Sequence, residues 1–279
     1  MTLLKRCLKA WLPPALADAY RKQARLGVHF RGEFPDWQTA AAHAEGYDSA
    51  QILERVRWAT RKVVSGQAAG ERDSVLFERT PYPFPVIALL LRAAIENGGR
   101  LSVLDFGGAL GSSYHQCKDF LKEVSVVHWN IVEQTHYVRV GQLEFESETL
   151  LFHETVGAAS QIYPPQVVLA SSVLQYMPDP VEVLKSFVST KAEYIVIDRT
   201  PLALDRRQVI STQLVPSSIN ASSYPLRLFN EEQLKAPLLT QYDEISSFAA
   251  VDGTLGYGRL KAVFKGFIFK KRKRMKEGS

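Results

Sequence analysis

Asp105, Gly107, Gly108 and Gly111 stand in the stretch LSVLDFGGALGSSY, 101–114, at the spacing of a ligand-binding turn. Leu101, Val103 and Leu104 form a short apolar run, so a buried strand is expected to end on a carboxylate at the mouth of that turn. The glycines let the backbone turn tightly, approach a ligand closely and seat a helix against the strand. A helix beginning within 111–114 would aim free N–H groups across the strand ends. The guest this suits is a nucleoside-containing cofactor. The dinucleotide spacing G-x-G-x-x-G is missing, because G-G-A-L-G follows an acidic residue. A carboxylate two residues before the first glycine suits a ligand that brings positive charge and no pyrophosphate to the turn, as S-adenosylmethionine does. The plain alternative is a strand-to-helix link with no ligand.

Further chemistry-bearing residues fall at expected strand ends. Glu133, followed by Gln134, comes just after VVHWNIV, 126–132, where a carboxylate can accept hydrogen bonds from both vicinal hydroxyls of a ribose. A solvated surface glutamate is the competing reading. His153 and Glu154 close LLFHE, and either could face a base. Ser171 and Ser172 follow VVLA, 167–170, at the end of a strand where open α/β sheets bind ligands. Asp198 and Arg199 follow EYIVI, 193–197. Asp198 suits the orientation or deprotonation of a hydroxyl, and Arg199 the pairing of an anionic group, unless the two form a structural pair. Tyr176 is counted with them as a catalytic candidate, and Tyr114 and Gln134 as cofactor-binding candidates.

The elements that must hold these residues read in alternation. Residues 3–12 put Leu3, Leu4, Cys7, Leu8, Trp11 and Leu12 on one helical face opposite Lys5, Arg6 and Lys9, and Pro13 and Pro14 end that helix. It suits packing on its own domain or lying on an anionic membrane surface, helped by the basic C-terminus. Asp36 can cap a helix over 37–45; Gly46 breaks it, and Asp48 can cap a second helix through Val64. These are expected as a helical cap. In ERDSVLF and TPYP, Arg72, Asp73, Phe77, Tyr82 and Pro83 are loop residues that either reach substrate or tie the linker down. A helix over 85–97 is closed by Gly98 and Gly99. Helices over 113–123, 137–145 and 180–187 alternate with strands at 101–105, 126–132, 150–154, 167–170 and 193–197. The stretch 213–228, rich in Ser and Pro, has no clear period and reads as an acceptor-binding insertion. A short helix begins at Asn230, and 242–250 and 260–270 alternate like an antiparallel pair. The fold expected is α/β, a Rossmann-like sheet of five parallel strands plus an antiparallel terminal pair. Its cap and linker occupy 1–80, the cofactor domain 81–270 and a basic tail 271–279.

Composition excludes several classes. The chain has 279 residues, 46% of them hydrophobic, enough for a substantial core. Its net charge is +5, but six positive charges lie within 270–276, which leaves the rest at −1 and no basic stripe for nucleic acid. No apolar run nears the roughly 18–20 residues of a membrane span. The two cysteines, Cys7 and Cys117, lack zinc or disulfide spacing, and no metal-ligand cluster is evident. A cytoplasmic protein is expected, either free or touching the inner membrane peripherally through both termini.

The segment Asp105, Gly107 and Gly111 resembles the first motif of the class I S-adenosylmethionine-dependent methyltransferases, with Ala109 in place of the usual middle glycine. Glu133 matches that family's ribose-binding acidic residue by strand position. S-V-L-Q-Y-M-P-D resembles its S-x-L-H-[HY]-x-x-D, with Gln175 replacing the histidine and removing the obvious general base. With Trp37, GYD at 46–48, ERDSVLF, IDRTPL and FKGFIFKK, the chain is similar over nearly its whole length to a family of bacterial methyltransferases linked to surface-polysaccharide synthesis. The resemblance implies S-adenosylmethionine as cofactor, no metal, and O-methylation of a small-molecule sugar or lipid-linked glycan acceptor. A non-catalytic scaffold of the same fold is the alternative, motivated by Ala109 and Gln175. An NAD-dependent sugar oxidoreductase is disfavoured by the missing glycine spacing and the lack of a Tyr-x-x-x-Lys pair.

Overall fold

The computed structural model describes residues 29–44, 49–72, 74–215, 222–257 and 260–273. The helix expected over 3–12, the caps and breaks at Gly46 and Asp48, Asp73, and the end of the basic tail lie outside the described residues. In chain order the elements are β1 His29–Phe34, α1 Trp37–Ala42, α2 Ser49–Val64, β2 Gly70–Arg72, β3 Val75–Phe77, α3 Phe84–Glu96, β4 Arg100–Phe106 and α4 Ser112–Cys117. Next come β5 Val126–Val132, α5 Thr135–Glu144, β6 Leu150–His153, α6 Val156–Ile162, β7 Val167–Ser171, α7 Pro180–Ser189 and β8 Tyr194–Ala203. The last are β9 Val209–Val215, β10 Ser222–Leu228, α8 Glu231–Lys235, β11 Tyr242–Tyr257 and β12 Leu260–Lys271.

Contacts divide the chain elsewhere than at residue 80. Among the described residues, 29–44 group with 210–215 and 222–225, and 49–209 group with 226–273. The smaller unit is built on β1 paired antiparallel with β9, His29 opposite Leu214 and Phe34 opposite Ile210. Asp36 caps α1 by accepting the Thr39 N–H at 2.7 Å.

The larger unit is organised by a seven-stranded sheet in the order β11-β12-β8-β7-β4-β5-β6. From β6 to β8 the strands are parallel, and β12 and β11 run antiparallel. This is the expected α/β Rossmann-like sheet with its antiparallel terminal pair, in which β12 is the reversed strand. β4 is the middle one of the five parallel strands, Val103 flanked by Trp129 and Val167. Its residues alternate between two apolar layers. Leu101 and Val103 face a layer with Leu90 of α3, Trp129 and Phe152, which Leu53 and Val56 of α2 also enter. Leu104 faces a layer with Leu184 and Phe187 of α7, Ile195, Ile197 and Phe267. The helices start where short polar side chains are available: Thr155 caps α6 through the Ala158 N–H, and Asp179 caps α7 through the Val181 and Glu182 N–H groups. Pro180 opens α7, where its missing N–H costs nothing.

Three expectations change. β8 does not stop at Ile197 but runs to Ala203, because β12 gives it a partner throughout, Thr200 opposite Lys265 and Ala203 opposite Ala262. Asp198 and Arg199 therefore lie within a strand and not beyond its mouth. The stretch expected as an insertion without period contains β9 and β10. Finally, ERDSVLF, expected as loop, folds as the hairpin β2–β3, with Glu71 opposite Leu76.

Candidate functional site

The carboxyl ends of β4, β5 and β7 and the middle of β8 carry the expected polar residues. At β4, Asp105 is almost fully buried and accepts the Trp129 indole N–H at 3.0 Å. Burial pushes its carboxyl up to about 7; the bonds from Trp129 and Ser113 oppose the rise and the charge of Glu133 adds to it. The glycine turn passes directly over this carboxylate. A Cβ on Gly108 would meet the Asp105 carboxylate at 2.7 Å, and one on Gly107, at φ 71°, would meet Val173 Cγ2 at 2.3 Å. The Gly107 N–H is used by Val132, at 2.9 Å, which ties the turn to the end of β5. Gly111, at φ 102°, is the N-cap of α4. Ala109 takes the left-handed conformation too, φ 52°, at a cost of about 1–2 kcal/mol for a residue with a Cβ. It packs against the apolar layer of Leu110 and Trp129.

Glu133 closes this site from the next strand. Its carboxylate accepts the Gln134 N–H at 2.8 Å, and the N–H of Ala109, inside the turn, acts on it electrostatically. Burial raises its proton affinity, and those two N–H groups restrain the rise. Asp105 and Glu133 thus touch the same turn, and among the described residues neither is in an ion pair. Their hydrogen-bond donors are neutral. A ligand that carries positive charge and paired hydroxyls fits what this turn offers.

A second group lies at β7 and β8. Ser171 stands beside Asp198 in the sheet, with its hydroxyl 3.4 Å from the Asp198 carboxylate. Ile197 pairs with Phe267 and Thr200 with Lys265, so Asp198 and Arg199 together face Gly266 in a β-bulge, with Arg199 at φ 51°. Burial raises the Asp198 proton affinity, Arg199 lowers it, and Asp252 raises it again. The Arg199 guanidinium is held by Asp252 through Nε to Oδ2 at 2.9 Å and Nη2 to Oδ1 at 3.2 Å. Asp252 lies where β11 departs from its register with β12, between Ala249 and Thr254. Ser172, at φ 57°, accepts the Gln175 Nε2 at 2.9 Å. Cys117 senses both groups: burial pushes its thiol up to about 12, and the charges of Asp105 and Asp198 add to that.

The structure therefore gathers Asp105, Gly107, Gly108, Ala109, Gly111 and Glu133 into one site, and Ser171, Ser172, Asp198 and Arg199 into a neighbouring one. Gln134 contributes its N–H to Glu133. Tyr114 packs edge-on to Trp129, ring centroids 5.7 Å apart, and serves the core. Tyr176 is half-buried in the short 3-10 turn Leu174–Tyr176, and Glu154 is exposed beyond β6. His153, not Glu154, reaches into the sheet end, its Nε2 3.1 Å from Asn130 Oδ1. Trp129, Val173 and Asp252 act on the site without having been singled out by spacing. Trp129 could have been found from its place in VVHWNIV, on the strand beside Asp105, and Asp252 from an acid in a glycine-rich loop.

No protein-family model matches the chain, and no curated protein matches it. Solved structures of similar arrangement include an S-adenosylmethionine-dependent methyltransferase from Clostridium acetobutylicum, at 10% identity over 66% of this chain and 90% of that one, TM-score 0.42. The N-terminal domain of EvdMO1, solved with S-adenosylhomocysteine and D-fucose, gives 12% identity over 81% and 98%, TM-score 0.47. CalS10, an amino pentose methyltransferase from Micromonospora echinaspora, gives 9% over 67% and 91%, TM-score 0.43.

The position of Asp105 sets a pH dependence. Its folded pKa, about 7, lies above the ordinary value of about 3.9. The folded chain therefore holds more protons than the unfolded one between those values, and this group's contribution to stability falls as pH rises from about 4 to about 7. Asp105→Asn, which keeps an oxygen for Trp129, is expected to unfold at higher urea than the parent at pH 8 and to lose that advantage at pH 4. Denaturation curves at the two pH values check it; a variant less stable at pH 8 refutes it.

Proposed function

We propose that this chain is an S-adenosylmethionine-dependent methyltransferase that methylates a hydroxyl of a sugar or lipid-linked glycan precursor in surface-polysaccharide biosynthesis. The observation that carries the cofactor reading is the pair of carboxylates on one glycine turn, Asp105 beneath it and Glu133 beside it, both with proton affinity raised by burial and, among the described residues, neither in an ion pair. When bound, S-adenosylmethionine supplies a methyl group already activated by its sulfonium.

The residues of the chain then bind, orient and exclude water. Asp105 holds the amino end, directly or through water. Glu133 exchanges its loop N–H partners for the ribose hydroxyls. Gly107 and Gly108 leave the space that side chains would fill. Asp198, buried and raised in proton affinity, accepts the proton of the acceptor hydroxyl. Arg199, held on Asp252, keeps a positive charge beside Asp198 that favours its ionised form.

Calorimetric titration with S-adenosylmethionine, S-adenosylhomocysteine and NAD tests the first step. Binding of the first two and not the third is expected; binding of NAD alone overturns the proposal. Incubation with S-adenosylmethionine and a panel of sugar nucleotides and lipid-linked sugars, read by mass, tests the second. S-adenosylhomocysteine is expected together with a product heavier by one methylene unit, and its absence across the panel would favour the non-catalytic scaffold.

A further inference from the structure

The glycine turn is also gripped from a side that the cofactor reading does not use. Glu71, on β2, is 3% exposed. Its carboxylate accepts the Ser112 hydroxyl and, at 3.2 Å, the Ser74 N–H; its backbone carbonyl accepts Gln116 Nε2 at 3.3 Å. Ser112 and Gln116 lie one turn apart on α4, and Gln116 is itself buried. A single residue of the β2–β3 hairpin therefore holds both turns of the helix that follows the glycines.

That helix needs an outside hold. Its N-cap is Gly111, and no side chain caps its first turn. What orders that turn from outside is the Ser112 hydroxyl, bonded to Glu71 of the hairpin. A buried carboxylate costs free energy unless it is hydrogen-bonded, and an apolar contact would fasten hairpin to helix without that cost. The polar solution fixes the rotation of the first turn about its axis, which an apolar contact would leave loose.

We infer that Glu71 is a positioning residue of the cofactor turn: through Ser112 it sets the first turn of α4 in the orientation that receives the amino-acid end of S-adenosylmethionine. The inference rests on the cofactor reading above. Glu71 itself need not touch the ligand.

The test is calorimetric titration of the full chain and of Glu71→Ala, Glu71→Gln and Ser112→Ala with two probes, S-adenosylhomocysteine and adenosine. Adenosine lacks the amino-acid end and reports on the base and ribose alone. Glu71→Ala and Ser112→Ala are expected to weaken S-adenosylhomocysteine about 10-fold and adenosine less than about 2-fold. Glu71→Gln, whose amide oxygen still accepts the Ser112 hydroxyl, is expected to recover most of the loss. Unchanged S-adenosylhomocysteine affinity in both variants, or equal weakening of the two probes, overturns the inference and leaves the cofactor reading standing. A parent chain that binds neither probe overturns both. Should Glu71→Ala not fold, Ser112→Ala removes the same bond from the helix side and decides alone.

Discussion

Replacing Glu133 with alanine is expected to weaken S-adenosylmethionine binding about 100-fold or more while leaving the chain folded. The carboxylate stands just past β5, where it accepts the Gln134 N–H. In the proposed complex its two oxygens take the two ribose hydroxyls. Hydrogen bonds to a charged group contribute about 1.5–3 kcal/mol each, so losing two of them costs at least about 3 kcal/mol, or more than two decades in Kd. The fold should not suffer comparably, because the side chain is half-buried and water can take over its backbone partners. Titration of the variant beside its circular dichroism spectrum measures both quantities. An alanine variant that binds within about 3-fold of the parent would remove Glu133 from the cofactor site. Aspartate at 133 should fall between, since it keeps the charge but stops one methylene short.

The second large effect is expected at Gly107. Alanine there must adopt φ 71° and place its Cβ 2.3 Å from Val173 Cγ2 and 2.8 Å from Val173 Cβ. The left-handed backbone costs about 1–2 kcal/mol and the overpacking about 1–3 kcal/mol. The Gly107 N–H also closes the turn onto Val132. A loss of roughly 2–5 kcal/mol should lower the melting temperature by about 5–15 °C in a chain of this size, and cofactor binding should go with it. Adding Val173→Ala should recover part of the packing cost and none of the backbone cost. A Gly107→Ala variant that melts with the parent would show that the turn is not built as described.

How far the residues announced this architecture depends on where each element finds its partner. β5 is visible as VVHWNIV because β-branched and aromatic residues dominate it, and its observed bounds, Val126–Val132, are those of that stretch. Asp105, the glycines and Glu133 are visible because their roles are local: a strand end, a turn, the next strand end. β9 is not. Its residues lie between β1, far away in the chain, and β10, whose serines suggest loop. The hairpin β2–β3 has three residues on each side, too few for any period to show. Glu71 shared that fate, an acid in what read as loop, whose importance lies in a helix about forty residues later. Arg199 illustrates a third case. Its type suggested anion binding, but its partner, Asp252, sits on the irregular part of β11 and could not be paired with it from spacing.

The reversed strand β12 bears on how the chain is made. β8 presents Tyr194, Ile195, Val196 and Ile197, all fully buried in the finished sheet, and its outer edge is covered only by β12. During synthesis that edge emerges about sixty residues before its cover does. At roughly 5–20 residues per second the nascent sheet spends several seconds with an unpaired apolar strand on display. Such an edge is a template for pairing with another chain. Ribosomes that stall, or messages that end, between codons 203 and 260 would release the product most prone to aggregate, although it would already carry every residue proposed to hold the cofactor.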